Sequence, residues 1–274
     1  MRRITSRQNS FVARYRAVAR GEVADMVLLD GVHLVADALA AGIPIHSAAV
    51  AIEDAVGSAN EALRTLLDRL NDASVDLVDA PAPVMAALSP VQSPSAIVAL
   101  AERPRHAPDQ IFTGPAPLVL IAVGVQDPGN VGAIIRVAEA GGATGVVVTG
   151  ASANPFGWKA LRGSMGSALR LPVLDDASPE QAVADARQRG CRILATVPRG
   201  GTSVFDAALG GPLAVLIGGE GQGLADALID LADGRVTIPM QAPVESLNAA
   251  VTAALIVYEA RRQRAASRKL EVRS

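Results

Sequence analysis

The sequence contains few of the residues on which several common kinds of protein depend. It has one cysteine in 274 residues, Cys191, which excludes an internal disulfide framework and a zinc site built from cysteines. Its three histidines lie far apart along the chain, so their spacing does not suggest a metal site. Aromatic residues make up only 3%, which argues against the base-stacking surfaces of single-strand binders. We therefore expect no metal centre.

Long hydrophobic runs are also absent. The longest apolar stretches, such as LVLIAV, have the length of a strand, whereas a membrane-spanning helix needs about 20 apolar residues. The N-terminal stretch MRRITSRQNS lacks the apolar centre of a signal peptide. These features predict a cytoplasmic protein with no membrane partner.

Charge is distributed unevenly around a net value of −2. Residues 1–20 contain six arginines and no acid, and the tail RRQRAASRKLEVRS is also basic. Solvated chain ends are the simpler interpretation of either run alone. Two basic ends on an otherwise acidic protein nonetheless suggest local contacts with a polyanion.

The first hundred residues alternate short apolar runs with helical patterns. DMVLLDG, SAAVAI and VDLVD have the composition of strands, whereas VHLVADALAAG and NEALRTLLDRLND have the apolar spacing of helices. We expect a small α/β domain over residues 1–105. A stretch rich in proline and polar residues follows, and residues 106–116 are the predicted linker.

Residues 117–274 carry longer strand signals. LVLIAVGV is apolar on both faces, as a central parallel strand must be when helices cover both sides of a sheet. A helix over 131–140, the strands GVVVT, RILATV, LAVLIGG and RVTIPM, and a long helix from about Ser246 to Arg264 complete the pattern. This order predicts an α/β fold with a doubly wound, mostly parallel sheet. Ligands of such sheets bind beyond the carboxyl ends of the strands.

Three loops follow such strand ends. GVQDPGNVGAIIR does not fit a dinucleotide-binding fingerprint, because Asp127 and Pro128 occupy the turn. LIGGEGQGL surrounds Glu220 with glycines but lacks the lysine of a phosphate-binding loop. In IPMQAPVESLN we expect Ser246 to cap the long helix, with Asn248 two residues further on. Each loop alone is more often structural than functional.

Together, and in this order, the three loops resemble the motifs of the SpoU/TrmH family of SPOUT-class RNA methyltransferases. DPGNVGAIIRVAEAGGATGVVV resembles the first motif, LIGGEGQGL the second and IPMQAPVESLNAAVTAALIVYEA the third, and LRGSMGSALRLPV is similar to a segment between them. The resemblance implies a deep trefoil knot in the catalytic domain, a homodimer, and a front RNA substrate-binding domain of ribosomal-protein-like fold.

The resemblance further implies methyl transfer from S-adenosylmethionine to a ribose 2′-hydroxyl of RNA, and we expect ribosomal RNA. Arg136 would align the hydroxyl and clamp the RNA, with Asn130 orienting Arg136 or the ribose, and Glu220 holding Arg136 or a loop amide. The expected catalytic residues are Arg136, Asn130, Glu220, Ser246 and Asn248. The expected cofactor-binding residues are Thr196, Val197, Gly218, Gly219, Ile238, Met240 and Leu247.

Ala242 departs from the family pattern, which has glycine at this position. If the position needs a positive φ, alanine would weaken the cofactor site; Pro243 instead favours an extended Ala242 that tolerates alanine. The alternatives are a catalytically inactive RNA-binding protein of the same fold and a transfer-RNA 2′-O-methyltransferase. A nucleotide-dependent oxidoreductase is disfavoured because the dinucleotide fingerprint is missing.

Overall fold

The computed structural model describes residues 1–51, 61–91, 95–175 and 177–271 of the chain. It divides into two compact units, one of residues 1–104 with 156–170 and one of residues 105–155 with 171–274. Residues 156–170, which the sequence places in the domain 117–274, thus pack within the first unit. The roles expected of the two domains stay predictions.

The first unit contains a five-stranded mixed sheet in the order β1-β4-β3-β5-β2. Strands β1, β4 and β3 are parallel, and β5 runs antiparallel to β3 and β2. The strands are β1 (Arg2–Arg3), β2 (Met26–Asp30), β3 (Ile45–Val50), β4 (Asp76–Asp79) and β5 (Ile97–Glu102). In chain-order numbering, the helices of this unit are α1 (Ser10–Ala19), α2 (Val32–Ala40), α3 (Glu61–Asp72), α4 (Ala82–Leu88), α7 (Trp158–Ser164) and α8 (Ser167–Arg170).

Helix α1 provides the central side chain of this unit's core and was not expected from the sequence. Tyr15 is fully buried, its hydroxyl donates a hydrogen bond to the Ser47 carbonyl at 3.1 Å, and burial raises the pKa of Tyr15. Val12 and Val18, which lie three residues before and three residues after Tyr15, are buried on the same face of the helix. Arginines alternate with these apolar residues, so the segment had the appearance of a basic chain end.

The second unit contains a seven-stranded sheet in the order β10-β12-β9-β11-β6-β7-β8. All pairings between its strands are parallel, which confirms the expected α/β fold with a parallel sheet. The strands are β6 (Leu118–Val123), β7 (Gly145–Thr149), β8 (Val173–Leu174), β9 (Arg192–Thr196), β10 (Thr202–Ser203), β11 (Leu213–Gly218) and β12 (Gly234–Thr237). The helices are α5 (Pro108–Ile111), α6 (Pro128–Gly141), α9 (Pro179–Gln188), α10 (Asp226–Ile229) and α11 (Ala249–Glu271).

Helices cover both faces of this sheet, which explains why the central strands are apolar throughout. Val119 and Ile121 of β6 face the layer that contains α9, whereas Leu118 and Leu120 alternate with them on the opposite face and are also buried. Helices α6 and α11 pack together over that opposite face. None of the described helices is long and apolar enough to cross a membrane.

The predicted linker 106–116 is only in part a connecting segment. It contains α5, whose Ile111 is fully buried. A Cβ on Gly145 would lie 2.7 Å from the Ile111 Cγ2 atom, so the start of β7 has room for this side chain only because residue 145 is glycine. A single buried side chain between prolines gives no periodicity, which is why the sequence pattern did not reveal α5.

Helices α6 and α11 lie side by side and run in the same direction. Asn130 in the first turn of α6 contacts Asn248 at the start of α11, and the Arg261 guanidinium donates to the Ala140 carbonyl near the other ends. The close approach depends on Gly141, since a Cβ there would lie 1.9 Å from the Cγ1 atom of fully buried Val257. The packing of these helices places both of their N-termini at one edge of the sheet.

We expect the substitution Gly141→Ala to destabilise the protein. The overlap with Val257 should cost about 1–3 kcal/mol, and the higher helix propensity of alanine offsets at most about 1 kcal/mol. Thermal unfolding should therefore show a lower midpoint, by about 2–4 °C per kcal/mol. Gly210→Ala is the matched control, because a Cβ at Gly210 meets no atom within 4 Å. Equal midpoints for the two variants would contradict this account of the packing.

Candidate active site

The three loops singled out in the sequence meet at the carboxyl edge of the parallel sheet. The first follows β6, the second follows β11, and β6 and β11 are neighbouring strands. The Gly219 amide of the second loop donates to the Val123 carbonyl at 2.8 Å. The third loop joins β12 to α11 and reaches the first through Asn248. Residues about a hundred positions apart in the sequence are therefore brought together.

Local hydrogen bonds hold the first loop at both ends. Asp127 caps α6, because its Oδ1 atom accepts from the Asn130 amide at 3.0 Å, and Pro128 occupies the first helical position. The Ser152 hydroxyl accepts from the Val125 amide at 3.0 Å and donates to the Thr149 carbonyl at 2.8 Å. Sequence reasoning assigned no role to Asp127 or Ser152, although aspartate before proline is a recognised signal for the start of a helix.

The second loop is pressed against the first because it consists largely of glycine. A Cβ on Gly219 would lie 1.9 Å from the Gly124 carbonyl oxygen, so no other residue fits there without moving the backbone. Gly221 and Gly223 have φ values of 88° and 64°, which side chains disfavour. The turn that they form leaves Glu220 exposed at its tip, facing the start of α6.

A directed chain of hydrogen bonds links the three loops. The Asn248 Oδ1 atom accepts from the amides of Ala250 and Val251 at 2.9 and 3.3 Å, which caps α11. Its Nδ2 atom donates to Asn130 Oδ1 at 3.0 Å, and Asn130 Nδ2 donates to the Glu220 carboxylate. Each amide uses its oxygen towards one neighbour and its nitrogen towards the next, so this chain, which we call the amide chain, defines the orientation of both asparagines.

The expectation that Ser246 caps the long helix is wrong. Helix α11 begins at Ala249, and Asn248 is its capping residue. Asparagine caps as well as serine does, so composition could not decide between the two positions. Ser246 is exposed, two residues before the cap, and forms no hydrogen bond to another residue in the part of the chain that the structure describes.

Arg136 lies on the same helix as Asn130 but is not held by it. Six residues of helix correspond to a rise of about 9 Å, and Glu220 contacts Asn130 instead of Arg136. The expected orientation of Arg136 by Asn130 or Glu220 is therefore not seen. The side chain of Arg136 is exposed and has no hydrogen-bonding or ionic partner among the described residues. Its guanidinium is available to a ligand.

The residues expected to bind the cofactor lie at the ends of three neighbouring strands, β9, β11 and β12. Several of their polar groups are already used within the fold. The Thr196 hydroxyl donates to the Leu216 carbonyl at 2.9 Å, and the Val197 amide donates to the Val236 carbonyl at 3.0 Å. The Gly219 amide likewise donates to Val123. These groups shape the strand ends and are not free to donate to a ligand.

The remaining surface at these strand ends is mainly apolar. Val197, Ile238 and Met240 are half-buried, and Leu247 is 36% exposed. Gly218 at the end of β11 is also half-buried and exposes only backbone. A Cβ on Gly218 would lie 2.6 Å from the Gly223 carbonyl carbon, so the glycine loop folds back closely over the end of β11. Partly buried apolar side chains beside bare backbone fit a flat heterocyclic ring.

Ala242 does not require the conformation that only glycine adopts easily. Among the described residues, the non-glycine positions with positive φ are Ser74 and Met165. The negative φ that the following Pro243 predicts for Ala242 is therefore confirmed, and alanine carries no left-handed strain at this position.

Comparison with known proteins agrees with this arrangement. The model of the SpoU rRNA methylase family matches residues 117–258, which include all three loops. The chain belongs to the SpoU rRNA methylase family. Within the family it is 34% identical to an uncharacterised tRNA/rRNA methyltransferase of Synechocystis sp., over 95% of this chain and 93% of the relative.

Solved structures of SpoU methyltransferases superimpose on nearly the whole chain. A crystal structure of an RNA 2′-O ribose methyltransferase matches with a TM-score of 0.80 and 32% identity, covering 96% of this chain and 99% of the other. The SpoU methyltransferase AviRb from Streptomyces viridochromogenes, in complex with the cofactor AdoMet, matches with a TM-score of 0.83 and 30% identity, covering 94% and 99%. The likeness thus extends beyond the residues of the family model.

The two functions of Asn248 in this SpoU family member can be separated by substitution. Asn248→Ala removes the cap of α11 and should cost about 0.5–2 kcal/mol of unfolding free energy. Asn248→Asp keeps a capping oxygen at the N-terminus of the helix but loses the donor to Asn130. We expect thermal unfolding to show a lower midpoint for the alanine variant only. A loss of stability in the aspartate variant as large as in the alanine variant would contradict the capping role.

Proposed function

We propose that this protein is an S-adenosylmethionine-dependent RNA methyltransferase that methylates a ribose 2′-hydroxyl, in ribosomal RNA. The observation that carries the proposal is the amide chain together with Arg136, which lies on the helix of Asn130 and has no partner among the described residues. Family membership supports it, as do the similar structures, one described as an RNA 2′-O ribose methyltransferase and one determined with AdoMet.

Arg136 is the residue that we assign to the reacting hydroxyl. A guanidinium donates hydrogen bonds and is not deprotonated in proteins, so Arg136 is not the base. Its charge would hold a neighbouring phosphate and stabilise the alkoxide that develops on the 2′-oxygen. The hydroxyl proton would pass to a phosphate oxygen of the substrate or to water. Asn130, Glu220 and Asn248 act as positioning residues that define the edge on which the ribose rests.

The cofactor would be held at the ends of β9, β11 and β12. Thr196, Val197, Gly218, Gly219, Ile238, Met240 and Leu247 are the residues that we assign to it. When bound, S-adenosylmethionine supplies the methyl group, which leaves its sulfonium sulfur as the bond to the ribose oxygen forms. The half-buried apolar residues would exclude water from this region, and holding two reactants in line is worth up to about 7–11 kcal/mol. Ser246, exposed beside Leu247, would complete the pocket.

The conformation of Ala242 argues against a protein that has lost activity, since this position was the main departure from the family pattern. We assign ribosomal RNA instead of transfer RNA as the substrate because a front domain of this type favours ribosomal RNA. An RNA substrate also supports the predicted cytoplasmic location.

Mapping 2′-O-methyl sites by mass spectrometry in total RNA, with and without the gene, tests the function. Identical maps would contradict it.

Strand order supports the trefoil knot expected of the family. Strand β12 lies between β9 and β10, although both of those strands precede it in the chain. The Thr237 hydroxyl at its end donates to the Val197 carbonyl and accepts from the Gly201 amide, at 3.0 Å each. These contacts support a loop formed by residues 197–212, and we propose that the chain passes through this loop on the way to α11.

An apolar stripe on α11 supports the homodimer. Val251, Leu255 and Tyr258 follow the spacing of one helix face and are 47%, 39% and 52% exposed. The opposite face of the helix packs on α6, so the stripe is not needed for the core of the second unit. Large apolar side chains grouped on one exposed face are typical of interfaces. We propose that a second copy of this chain covers them.

Arg136→Ala should lower methyl transfer to bulk ribosomal RNA by at least about 10²-fold, because an electrostatic donor at the reacting oxygen is lost. S-adenosylmethionine affinity, measured by calorimetry, should change little, since Arg136 lies on helix α6 and the residues assigned to the cofactor follow strands β9, β11 and β12. Arg105→Ala is the matched control, because Arg105 is also exposed and has no partner among the described residues. Normal turnover in the Arg136 variant would overturn the assignment.

Leu255→Glu should convert the dimer to monomer, because a carboxylate in the centre of the stripe would have to be buried without a partner. Light scattering coupled to size-exclusion chromatography measures the change in mass. Phe205→Glu is the control, since Phe205 is 61% exposed and lies outside α11. A wild-type protein that is monomeric, or a Leu255 variant that stays dimeric, would show that this stripe is not the interface.

A further inference from the structure

Residues 140–174 contain no aspartate or glutamate, although acids slightly outnumber bases in the chain as a whole. The cations in this stretch are Lys159, Arg162 and Arg170. All three lie on α7 and α8, the two short helices that pack within the first unit. The positive charges of these helices therefore have no acidic residue close to them in the sequence.

The side chains of α7 separate into a buried and an exposed face. Ala160 and Leu161 are fully buried, whereas Lys159 and Arg162 are exposed three residues apart, and so lie side by side. The Lys159 ammonium lies 5.4 Å from the centre of the Trp158 ring. Neither Lys159 nor Arg162 has a carboxylate partner among the described residues, whereas Arg170 pairs with Asp37 at 2.9 Å.

The basic N-terminal segment, which the sequence suggested as a polyanion contact, is different. Arg2 pairs with Asp76 at 2.8 Å, Arg3 with Asp79 at 3.4 Å and Arg20 with Glu22. Arg7 and Arg16 donate to backbone carbonyls at the two ends of α4. Half of these six arginines are thus neutralised by neighbouring acids and others serve the fold. Lys159 and Arg162 of α7, by contrast, have no neighbouring acid along the chain, because residues 140–174 contain none.

The residue that ends α7 is held in an unfavourable backbone conformation. Met165 has a φ of 50°, which costs a non-glycine residue about 1–2 kcal/mol, and its side chain is 53% exposed. Gly166 follows with a φ of 82° and no room for a side chain, because a Cβ would lie 2.0 Å from the Asp37 Oδ2 atom. A large exposed apolar side chain therefore directly follows the helix that carries the two cations, in a strained conformation of the kind that often has a function.

We infer that the exposed face of α7, formed by Lys159, Arg162 and Met165, docks the sugar–phosphate backbone of the RNA substrate. The two cations bind phosphate oxygens and Met165 packs against the adjoining sugar. The inference is carried by charge complementarity between the two cations of α7 and the phosphates of RNA. It rests on the proposed function, which requires RNA as the substrate. It assigns substrate binding to a segment that the sequence placed in the catalytic domain.

The test compares two double variants that each remove two positive charges from exposed helix positions of the first unit. Lys159→Gln/Arg162→Gln removes the α7 cations, and Arg64→Gln/Arg69→Gln removes two exposed arginines from α3. The α3 arginines share their helix with Glu61, Asp68 and Asp72, whereas α7 has no acid. Binding of a short fluorescein-labelled single-stranded RNA of mixed sequence is measured by anisotropy across a salt series.

Two lost phosphate contacts should reduce the slope of log affinity against log salt by about 1.4, since each contributes about 0.7 on single strands. If the wild-type protein and the α7 variant bind equally at about 1 M salt, this difference in slope raises the Kd of the α7 variant on the order of tenfold above that of the wild type at about 0.15 M salt. We expect no such change for the α3 pair. Equal effects of both pairs, or an unchanged slope for the α7 pair, would overturn the inference.

The same preparations separate this inference from the proposed function. Calorimetry with S-adenosylmethionine and methyl transfer to bulk ribosomal RNA test the wild-type enzyme for its activity. RNA anisotropy measures binding without turnover, and the difference between the α7 and α3 variants isolates the contribution of the α7 face. An active enzyme with unaltered RNA binding in the α7 variant would reject the docking surface and leave the proposed function intact.

Discussion

The hydrogen bond between the side chains of Asn130 and Asn248 is the contact on which the candidate site depends. It joins residues 118 positions apart in the sequence and brings the starts of α6 and α11 together. Asn248 Oδ1 is already used by the helix that it caps, so only its nitrogen can face Asn130, and Asn130 must then present its nitrogen to Glu220. A helix cap therefore dictates which donor and acceptor atoms the loops offer to a ligand.

Two parallel helices with adjacent N-termini also determine the electrostatics of this edge. Each helix contributes roughly half a positive charge at its N-terminus, and the two contributions add. Asp127 and Glu220 lie where such a field stabilises carboxylates. Arg136 lies further along α6, outside the first turn. The carboxylates of the site thus lie near the helix N-termini, whereas the Arg136 guanidinium, which has no partner within the described ranges, lies further along α6. This separation suits a substrate with alternating phosphate and hydroxyl groups.

The sequence predicted the longer strands such as β2 and β6, because runs such as MVLLD and LVLIAV are buried in the structure as their composition requires, but it missed the two-residue strands β1, β8 and β10. It also identified the three loops, through their order after the strands and the family resemblance. It did not reveal α1, whose apolar stripe is interleaved with arginines, or the capping residue, since Ser246 and Asn248 are equally good candidates. The partner of Glu220 was beyond local patterns, because Asn130 lies 90 residues away in the sequence. Such pairings depend on which strands become neighbours.

The position of β12 has a consequence for how the enzyme matures. Strand β12 pairs with both β9 and β10, which precede it in the chain, so neither pairing can form before residues 234–237 have been synthesised. Asn248 and the apolar stripe of α11 follow β12 in the chain, so they arrive at their positions after that step. A chain shortened before residue 234 would lack β12, Asn248 and the apolar stripe of α11, and therefore the amide chain as well. Completion of the candidate site is thereby coupled to synthesis of the final segment.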